Sequence, residues 1–391
     1  MPSRTGLRIK GPVQMQEESI WKDFRREFPV AERYVYLNHA AVAPIPRRSA
    51  EAIARCAQEF CEKGIVCNRD YLQLVEEARE LAARLLGVSA PEIAFVKNTT
   101  QGLLIAANGI HWEKGDNVVI PEKEFPANVY PWLSLGAMGV ETRFVPLKNE
   151  KFTADDIEPF IDIRTRAVSV SAVSFWNGFR CDLRRIGQLC REKGVLFIVD
   201  GIQALGALDL CVEECYVDVL SADAHKWLLG PQGIGVLYVS KEAQEKLVVS
   251  NLGWKSMEHE NDFLNYKIRL KGSAARFEEG TLNIVGIAGL KASLDMILEI
   301  GIDAIERRIL DLGEQMVRGL VKKGYEIRSP MQGEERSGIL CFFHRRFTAQ
   351  AIFENLLKEE VVCALRDAAI RISPHFYNDE RDVNSFLNAL R

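Results

Sequence analysis

Seven short runs of β-branched and other apolar residues, separated by stretches with helical periodicity, constrain the fold of this chain more than any other feature. Several of these runs are apolar on both faces, as expected of strands that lie between two layers of helices. Alternating strands and helices predict an α/β fold with a mostly parallel sheet. The predicted strands cover residues 93–96, 117–120, 141–147, 167–173, 195–199, 217–221 and 235–239.

The stretches between the predicted strands have the amphipathic spacing of surface helices. Asp182 and Ser240 begin or precede two of these stretches, and both are good N-caps because their side-chain oxygens can accept free backbone N–H groups. Helices are predicted over residues 71–86, 182–193 and 241–248.

The pattern changes after residue 280, and 391 residues are too many for one ordinary hydrophobic core. We therefore expect a large domain over residues 36–290 and a smaller C-terminal α+β domain over residues 291–391. The elements predicted in the second part are helices over residues 285–300, 303–323 and 380–390, with strands over 338–343 and 369–372.

Composition excludes several classes of function. The net charge is −4 without a basic block, so we expect no nucleic-acid partner. Neither a transmembrane run nor the apolar core of a secretory signal is visible, so no membrane partner is expected. The nine cysteines form no CxxC motif, which favours free thiols in a reducing cytoplasm. The six histidines form no i, i+4 pair, so no metal site is expected.

The strongest local signal is VLFIVDGIQALGA, residues 195–207, in which a buried apolar strand runs directly into Asp200. Open α/β sheets bind ligands beyond the carboxyl ends of their strands. A carboxylate there is unfavourable unless a cationic group meets it. A protonated pyridine nitrogen is such a group, and its protonation makes the ring an electron sink. Taken alone, capping of the following turn is an equal alternative for Asp200.

The second signal is VDVLSADAHKWLLGPQGIGVLYV, residues 217–239, where Lys226 follows a strand. A lysine among apolar groups loses part of the stabilisation of its charged form, which favours the neutral amine that attacks an aldehyde. Most lysines are solvated at the surface, but the Trp-Leu-Leu run makes that alternative weaker here. The glycines of GPQGIG precede a strand instead of opening a helix, which argues against a dinucleotide site.

The third signal is FVKNTTQGL, residues 95–103, where a strand ends and Asn98, Thr99 and Thr100 open a helix. Hydroxyls and free amides at a helix N-terminus can hold a phosphate. Ordinary capping by Asn and Thr is the favoured alternative for this segment in isolation.

In chain order, these signals are Thr-Thr after the first strand, Asp-x-x-Gln after a middle strand, and His-Lys before Gly-Pro-x-Gly. This order resembles the class V aminotransferases, the fold-type I group of pyridoxal phosphate (PLP) enzymes that includes cysteine desulfurases, kynureninase and isopenicillin N epimerase-like proteins. The resemblance extends from YVYLNHAAVAPIP (34–46) to IRISPHFYND (370–379). It implies a mostly parallel seven-stranded sheet between helix layers, a smaller α+β domain, and an N-terminal segment (1–35) that packs on the smaller domain.

The resemblance also implies PLP as the cofactor and an amino acid as the substrate. Lys226 would hold PLP as a Schiff base and act as the catalytic base. Asp200 would pair with the pyridine nitrogen, and Gln203 would hydrogen-bond the ring hydroxyl oxygen. The residues that would hold the phosphate are Thr99, Thr100 and His225.

Four further residues have roles implied by the resemblance. Phe125 would stack on the cofactor, with core packing as its alternative. Asn177 would touch the ring hydroxyl or the substrate, and a turn-forming Asn-Gly pair is the equal alternative. Arg371 would clamp the substrate α-carboxylate, with a structural salt bridge as its alternative. Thr281 would reach the phosphate of a neighbouring subunit, which implies a homodimer.

Two departures from the family pattern limit the residue roles that the resemblance implies for this chain. Asp223 stands where desulfurases have serine, and an acidic group would repel a phosphate, so it receives no role. Only four residues separate Arg366 from Arg371, and none is the reactive cysteine that desulfurases carry before this arginine. Cys363 precedes them in a strand-like run and is typical of a buried small apolar residue. Persulfide chemistry on this segment is therefore disfavoured.

The reaction type stays open at the level of sequence, because proton positions within an ångström or so decide it. Aminotransferase-like chemistry is favoured by the family resemblance. An epimerase or a carbon–sulfur or carbon–carbon lyase is the alternative. A non-catalytic scaffold is a weaker alternative, since Lys226, Asp200, Gln203 and Arg371 are all present.

Overall fold

The computed structural model describes residues 17–264 and 266–390, and the predicted N-terminal segment lies outside these ranges as far as residue 16. In chain order the strands are β1 (Val35–Tyr36), β2 (Ile93–Val96), β3 (Asn117–Pro121), β4 (Glu141–Val145), β5 (Thr165–Ser171), β6 (Leu196–Asp200), β7 (Val219–Asp223), β8 (Gly235–Val239), β9 (Glu326–Ile327), β10 (Leu340–Phe343), β11 (Val361–Val362), β12 (Ala364–Arg366) and β13 (Ala369–Ile372). The α-helices are α1 (Glu17–Arg25), α2 (Arg47–Lys63), α3 (Asn68–Leu86), α4 (Thr99–Gly109), α5 (Tyr130–Leu133), α6 (Ala154–Ile157), α7 (Leu183–Lys193), α8 (Lys241–Lys246), α9 (Ile284–Ile300), α10 (Ile302–Lys322), α11 (Ala349–Lys358) and α12 (Glu380–Ala389).

A seven-stranded sheet in the order β2-β8-β7-β6-β5-β3-β4 lies at the centre of the molecule. The strands from β3 to β7 pair in parallel, and β8 alone runs opposite to its neighbours β7 and β2. The mostly parallel sheet expected from the sequence is confirmed, and all seven predicted strands belong to it.

The sheet is buried on both faces because its strands are apolar on both faces. Alternate side chains of a strand point to opposite sides of a sheet. In β6, Phe197 and Val199 accordingly belong to one hydrophobic cluster, whereas Ile198 belongs to a second cluster on the other side. This two-sided burial leaves the strand ends as the place where polar groups of the sheet can meet a ligand.

The predicted helix starts at Asp182 and Ser240 are confirmed. The Asp182 side chain accepts the backbone N–H of Arg185, and the Ser240 side chain accepts that of Ala243. The 17-residue helix α2, which packs against α9, was not singled out from the sequence. Within residues 17–264 and 266–390, none of the helices is long and apolar enough to cross a membrane.

A second sheet, with the antiparallel order β12-β13-β10-β9, is formed by the C-terminal part of the chain. Its own hydrophobic cluster includes Leu320 of α10, Leu356 of α11 and Phe386 of α12. Arg25 of α1 binds Asp382 of α12 through Nη1 at 2.6 Å and Nη2 at 3.0 Å. The division of the chain into domains near residue 290 stays a prediction.

A buried ion pair ties α3 to the segment that follows the sheet. Nη1 of Arg79 lies 2.8 Å from Oε1 of Glu278, and Nη2 lies 3.2 Å from Oε2. The same Oε1 accepts the backbone N–H of Phe95 in β2 at 2.8 Å. Both charged residues are buried. Arg79 also pairs with the exposed Glu76 of its own helix, but Glu278 is its buried counter-charge.

We expect Glu278→Gln to lower the free energy of unfolding by about 2–3 kcal/mol, because the buried Arg79 guanidinium then keeps only the largely exposed Glu76 as a counter-charge. Urea denaturation measures the change. The matched control is Glu158→Gln, which removes a solvent-exposed pair with Lys193 and should change the free energy of unfolding only slightly. Equal losses in the two variants would contradict the assignment of Arg79–Glu278 as a structural pair.

Candidate active site

The candidate site lies at one edge of the central sheet, where strands that run in the same direction end together. β6 ends at Asp200, which is in register with Ser221 of β7. Lys226 follows three residues after the end of β7, and α4 begins at Thr99 shortly after β2. The parallel order of the strands therefore brings the three sequence signals to one place.

Lys226 and Asp200 are both buried, with 7% and 2% of their surface exposed. Burial lowers the pKa of Lys226 to about 8, against the opposing effect of the Asp200 charge. Burial also raises the pKa of Asp200 to about 6, although its carboxylate accepts the backbone N–H of Ile202 at 3.0 Å. The site thus holds an amine with a substantial neutral fraction near pH 8, which is the form that attacks a carbonyl carbon.

Phe125 provides an aromatic surface next to the amine. The centroid of its ring is 5.5 Å from Nζ of Lys226, and 41% of the residue is exposed. Phe175 meets the same ring edge-on, with 5.2 Å between the ring centroids. Because Phe125 is not enclosed by the core, a planar ligand can stack on it.

The start of α4 and the end of β7 form a polar corner. Oγ1 of Thr99 accepts the backbone N–H of Asp223 at 3.0 Å, so its hydroxyl hydrogen remains available to donate. Asn98 caps α4 through Gln101, while Thr100 is half-buried at the first turn. The helix N-terminus and the Thr99 hydroxyl together suit an anion.

Asp223 lies against His225 in the same corner. Oδ1 of Asp223 is 3.0 Å from Nδ1 of His225, but the two atoms do not have hydrogen-bond geometry. Neither atom has another hydrogen-bond partner among the described residues. The sequence left Asp223 without a role, and the structure places it beside one of the residues predicted to hold the phosphate.

Gln203 and Asn177 already use their side chains within the protein. Nε2 of Gln203 donates to the carbonyl of Ala40 at 3.0 Å, and its Oε1 accepts Nε1 of Trp227 at 3.0 Å. This leaves one amide hydrogen and one lone pair for a ligand.

Asn177 is fully buried in a turn next to Gly178, which has a φ of 77°. Its side chain donates to the carbonyl of Glu150 at 2.8 Å and accepts the N–H of Phe179 at 3.0 Å. These bonds favour the turn-forming alternative for Asn177, and its contact with a cofactor stays a prediction.

Arg371 in β13 is a buried cation with unused donors. Its Nη1 donates to the carbonyl of Phe175 at 2.7 Å, while Nε and Nη2 have no hydrogen-bond partner among the described residues. Burial lowers its pKa to about 10, and only 2% of the residue is exposed. Buried donors of this kind are almost always satisfied in proteins, so Arg371 is suited to a carboxylate from a ligand.

Thr281 and Cys363 lie outside this constellation. Thr281 is exposed in the single chain. Exposure is compatible with its predicted role in a neighbouring subunit, which stays a prediction. Cys363 is buried, and burial raises the pKa of its thiol to about 12, which suppresses the reactive thiolate.

Two residues of the site were missed in the sequence. Glu124 precedes Phe125, and its carboxylate accepts the backbone N–H of Ser171 at 2.8 Å; burial raises its pKa to about 7. Arg366 acts electrostatically on both Lys226 and Arg371. In the sequence, Glu124 could have been noticed as a charged residue directly before the predicted stacking residue Phe125. Arg366 was considered only for its distance in sequence from Arg371.

Comparison with known proteins supports a single family. The family model described as aminotransferase class-V matches residues 35–386. A probable cysteine desulfurase from Methanothermobacter thermautotrophicus is 34% identical over 304 residues, which cover 75% of this chain and 74% of that protein.

Two solved structures have the same fold. The apo cysteine desulfurase from Thermococcus onnurineus NA1 matches with a TM-score of 0.85 at 24% identity, covering 97% of this chain and 98% of the other. A C-DES mutant with glycine covalently linked to the PLP cofactor matches with a TM-score of 0.87 at 24% identity, covering 93% and 98%.

The lowered pKa of Lys226 has a consequence for stability. A fall from 10.5 to about 8 corresponds to about 3 kcal/mol. Below pH 8 the folded protein carries this penalty in full, and the penalty disappears as the pH rises through 10.5. We therefore expect ligand-free Lys226→Met to be more stable than the wild type at pH 7, by about 1–3 kcal/mol.

Denaturation in urea between pH 7 and pH 10.5 measures this difference, which should shrink as the pH rises. The control is Lys241→Met at an exposed lysine of α8, for which no such convergence is expected. A constant difference for Lys226→Met across this range would show that its ammonium carries no burial penalty.

Proposed function

The chain belongs to the aminotransferase class-V family and is a PLP-dependent enzyme, and from this premise we propose that Lys226 holds PLP and that the enzyme acts at the α-carbon of an amino acid. The observation that carries the proposal is the buried Lys226 amine beside the buried Asp200 carboxylate. A neutral amine reacts with the aldehyde of PLP, and a carboxylate keeps a pyridine nitrogen protonated.

The groups that surround this pair fit the rest of PLP. The free hydroxyl hydrogen of Thr99 and the N-terminus of α4 would hold the phosphate, together with Thr100 and His225. The exposed ring of Phe125 beside Lys226 would cover the face of the pyridine ring. The remaining amide hydrogen of Gln203 would bind the ring hydroxyl oxygen.

The bound cofactor supplies an electron sink for the bonds at the substrate α-carbon. Arg371 holds the α-carboxylate through its unused Nε and Nη2, which fixes the orientation of the substrate. The free amine of Lys226 would take the proton from the substrate α-carbon as a general base. Asp200 stabilises the protonated pyridine nitrogen throughout.

Within this chemistry we favour aminotransferase-like transfer of the amino group, with epimerisation as an alternative. A carbon–sulfur lyase is the second candidate, because a curated relative is named a probable cysteine desulfurase. A covalent persulfide on Cys363 does not fit, since that thiol is buried with a pKa of about 12. The short hairpin between Arg366 and Arg371 leaves no loop to carry another thiol.

A homodimer is part of the proposal. The segment 252–268 exposes six large apolar side chains, which are Leu252, Trp254, Phe263, Leu264, Tyr266 and Ile268. Concentrations of exposed apolar residues mark interaction surfaces, and the exposed Thr281 would reach the partner's phosphate site. The unpaired state of all nine cysteines supports a reducing cytoplasm as the location.

We expect the purified protein to be yellow and borohydride reduction to fix PLP to the peptide that contains Lys226. Absorbance and peptide mass spectrometry measure the two effects. Lys226→Ala should lose the reducible linkage, whereas Lys241→Ala at an exposed lysine should retain it. A colourless protein that ignores added PLP would instead support the scaffold alternative.

We expect light scattering to give twice the mass of one chain. The double variant Leu264→Asp, Tyr266→Asp should shift the mass toward the monomer and weaken PLP binding, because charges in an apolar interface are unfavourable. The control is Ile163→Asp, at a residue that is 90% exposed outside this segment. A monomeric wild type with full PLP occupancy would refute both the dimer and the role of Thr281.

A further inference from the structure

Arg366 and Arg371 stand on the same face of the hairpin formed by β12 and β13. Arg366 pairs with Ala369, and Ala364 pairs with Arg371. Opposed residues of an antiparallel pair point to the same face, as do residues two apart on one strand. The two arginines are therefore diagonal neighbours, at a spacing of about 7–8 Å. A molecule of a few carbon atoms can contact both guanidinium groups.

Neither arginine has a carboxylate partner among the described residues. Arg371 leaves Nε and Nη2 without a hydrogen bond. Arg366 is exposed, and its Nη1 donates only to the backbone carbonyl of Leu365 at 3.0 Å. The hairpin thus presents one buried and one exposed cation, both with free donors.

The carboxylate next in sequence does not neutralise Arg366. Oδ2 of Asp367 binds Nη2 of Arg328 at 2.9 Å instead. Glu150 binds the same guanidinium, with Oε1 2.8 Å from Nη2. These two acidic groups are therefore both engaged by Arg328.

Arg366 also lies within electrostatic reach of the catalytic lysine. After burial, its charge is the next cause that lowers the pKa of Arg371, and it contributes to the lowered pKa of Lys226. The carboxylates that act on Lys226 are Asp200 and Asp223. Asp200 is required by the pyridine nitrogen, so a substrate with one carboxylate satisfies Arg371 and leaves Arg366 uncompensated.

We propose that Arg366 is a specificity residue that binds a second acidic group of the substrate, so that the enzyme takes amino acids with an acidic side chain. This inference rests on the proposed function. Arg371 binds the α-carboxylate in the buried part of the site, and Arg366 binds a side-chain carboxylate or sulfinate at the exposed part. The planar fork of an arginine suits either group.

The first test titrates the PLP-loaded enzyme with amino acids and follows the absorbance of the bound cofactor. Aspartate, glutamate and cysteine sulfinate represent the acidic class, and 2-aminobutyrate and norvaline are neutral compounds of similar length. We expect the acidic amino acids to bind at least about tenfold more tightly, because each gains a charge-assisted hydrogen bond.

Arg366→Gln should remove this preference and change the affinity for 2-aminobutyrate much less than that for the acidic amino acids, while Arg366→Lys should keep part of the preference. Arg371→Gln should weaken both classes, since it removes the α-carboxylate contact. The matched control is Arg346→Gln, at an exposed arginine that follows β10, which should behave as the wild type.

A calorimetric titration with succinate and butyrate tests binding without turnover, because neither compound has an amino group. We expect the wild type to bind succinate more tightly than butyrate. The Arg366→Gln variant should bind the two compounds with similar, weak affinity. Equal affinities in the wild type, or equal losses for both compounds in the variant, would overturn the role of Arg366. A protein that does not bind PLP would instead overturn the proposed function itself.

Discussion

The burial of an ammonium and a carboxylate at the ends of neighbouring strands is the constraint on which the site depends. Burial shifts the two pKa values toward each other, to about 8 for Lys226 and about 6 for Asp200. Each charge opposes the shift of the other, yet neither is fully stabilised by the protein. A parallel sheet makes this arrangement possible because its strand ends meet at one edge. The cofactor supplies the partner that each group lacks.

Residues from the C-terminal part of the chain pack against Trp227, the residue that follows Lys226. Nε2 of His375 lies 3.1 Å from the carbonyl of Trp227, the residue after Lys226. The indole of Trp227 binds Gln203, and Gly338 packs so closely that an added Cβ would lie 2.4 Å from that ring. The position of Trp227, next to the lysine, is thus fixed by residues that flank strands of both sheets, and the C-terminal sheet also contributes Arg371. Under the proposed roles of Lys226 and Arg371, binding of the cofactor and of the substrate carboxylate would therefore depend on one packed interface.

The sequence predicted the central sheet well because its signal is local and strong. Strands buried on both faces are continuous apolar runs, and caps such as Asp182 bond within three residues. Side chains with two possible partners were harder to predict, as Asn177 shows, because a turn satisfies its amide locally. The pairing of Arg366 with Arg371 depends on a two-residue hairpin turn at Asp367 and Ala368, both with positive φ. Aspartate is among the residue types that favour such a turn, but alanine is not, so the pair Asp367–Ala368 did not reveal the register from the sequence.

The cations around the Lys226 amine bear on which substrates the proposed site would prefer. The charge of Arg366 contributes to the lowered pKa values of Arg371 and Lys226, so it disfavours the charged forms of both groups. An anion that bridges the two arginines would offset this repulsion while it accepts hydrogen bonds from both. A neutral side chain would bring no such relief. Under the proposed function, the charge balance of the site would therefore favour a substrate with two acidic groups over one with a single carboxylate.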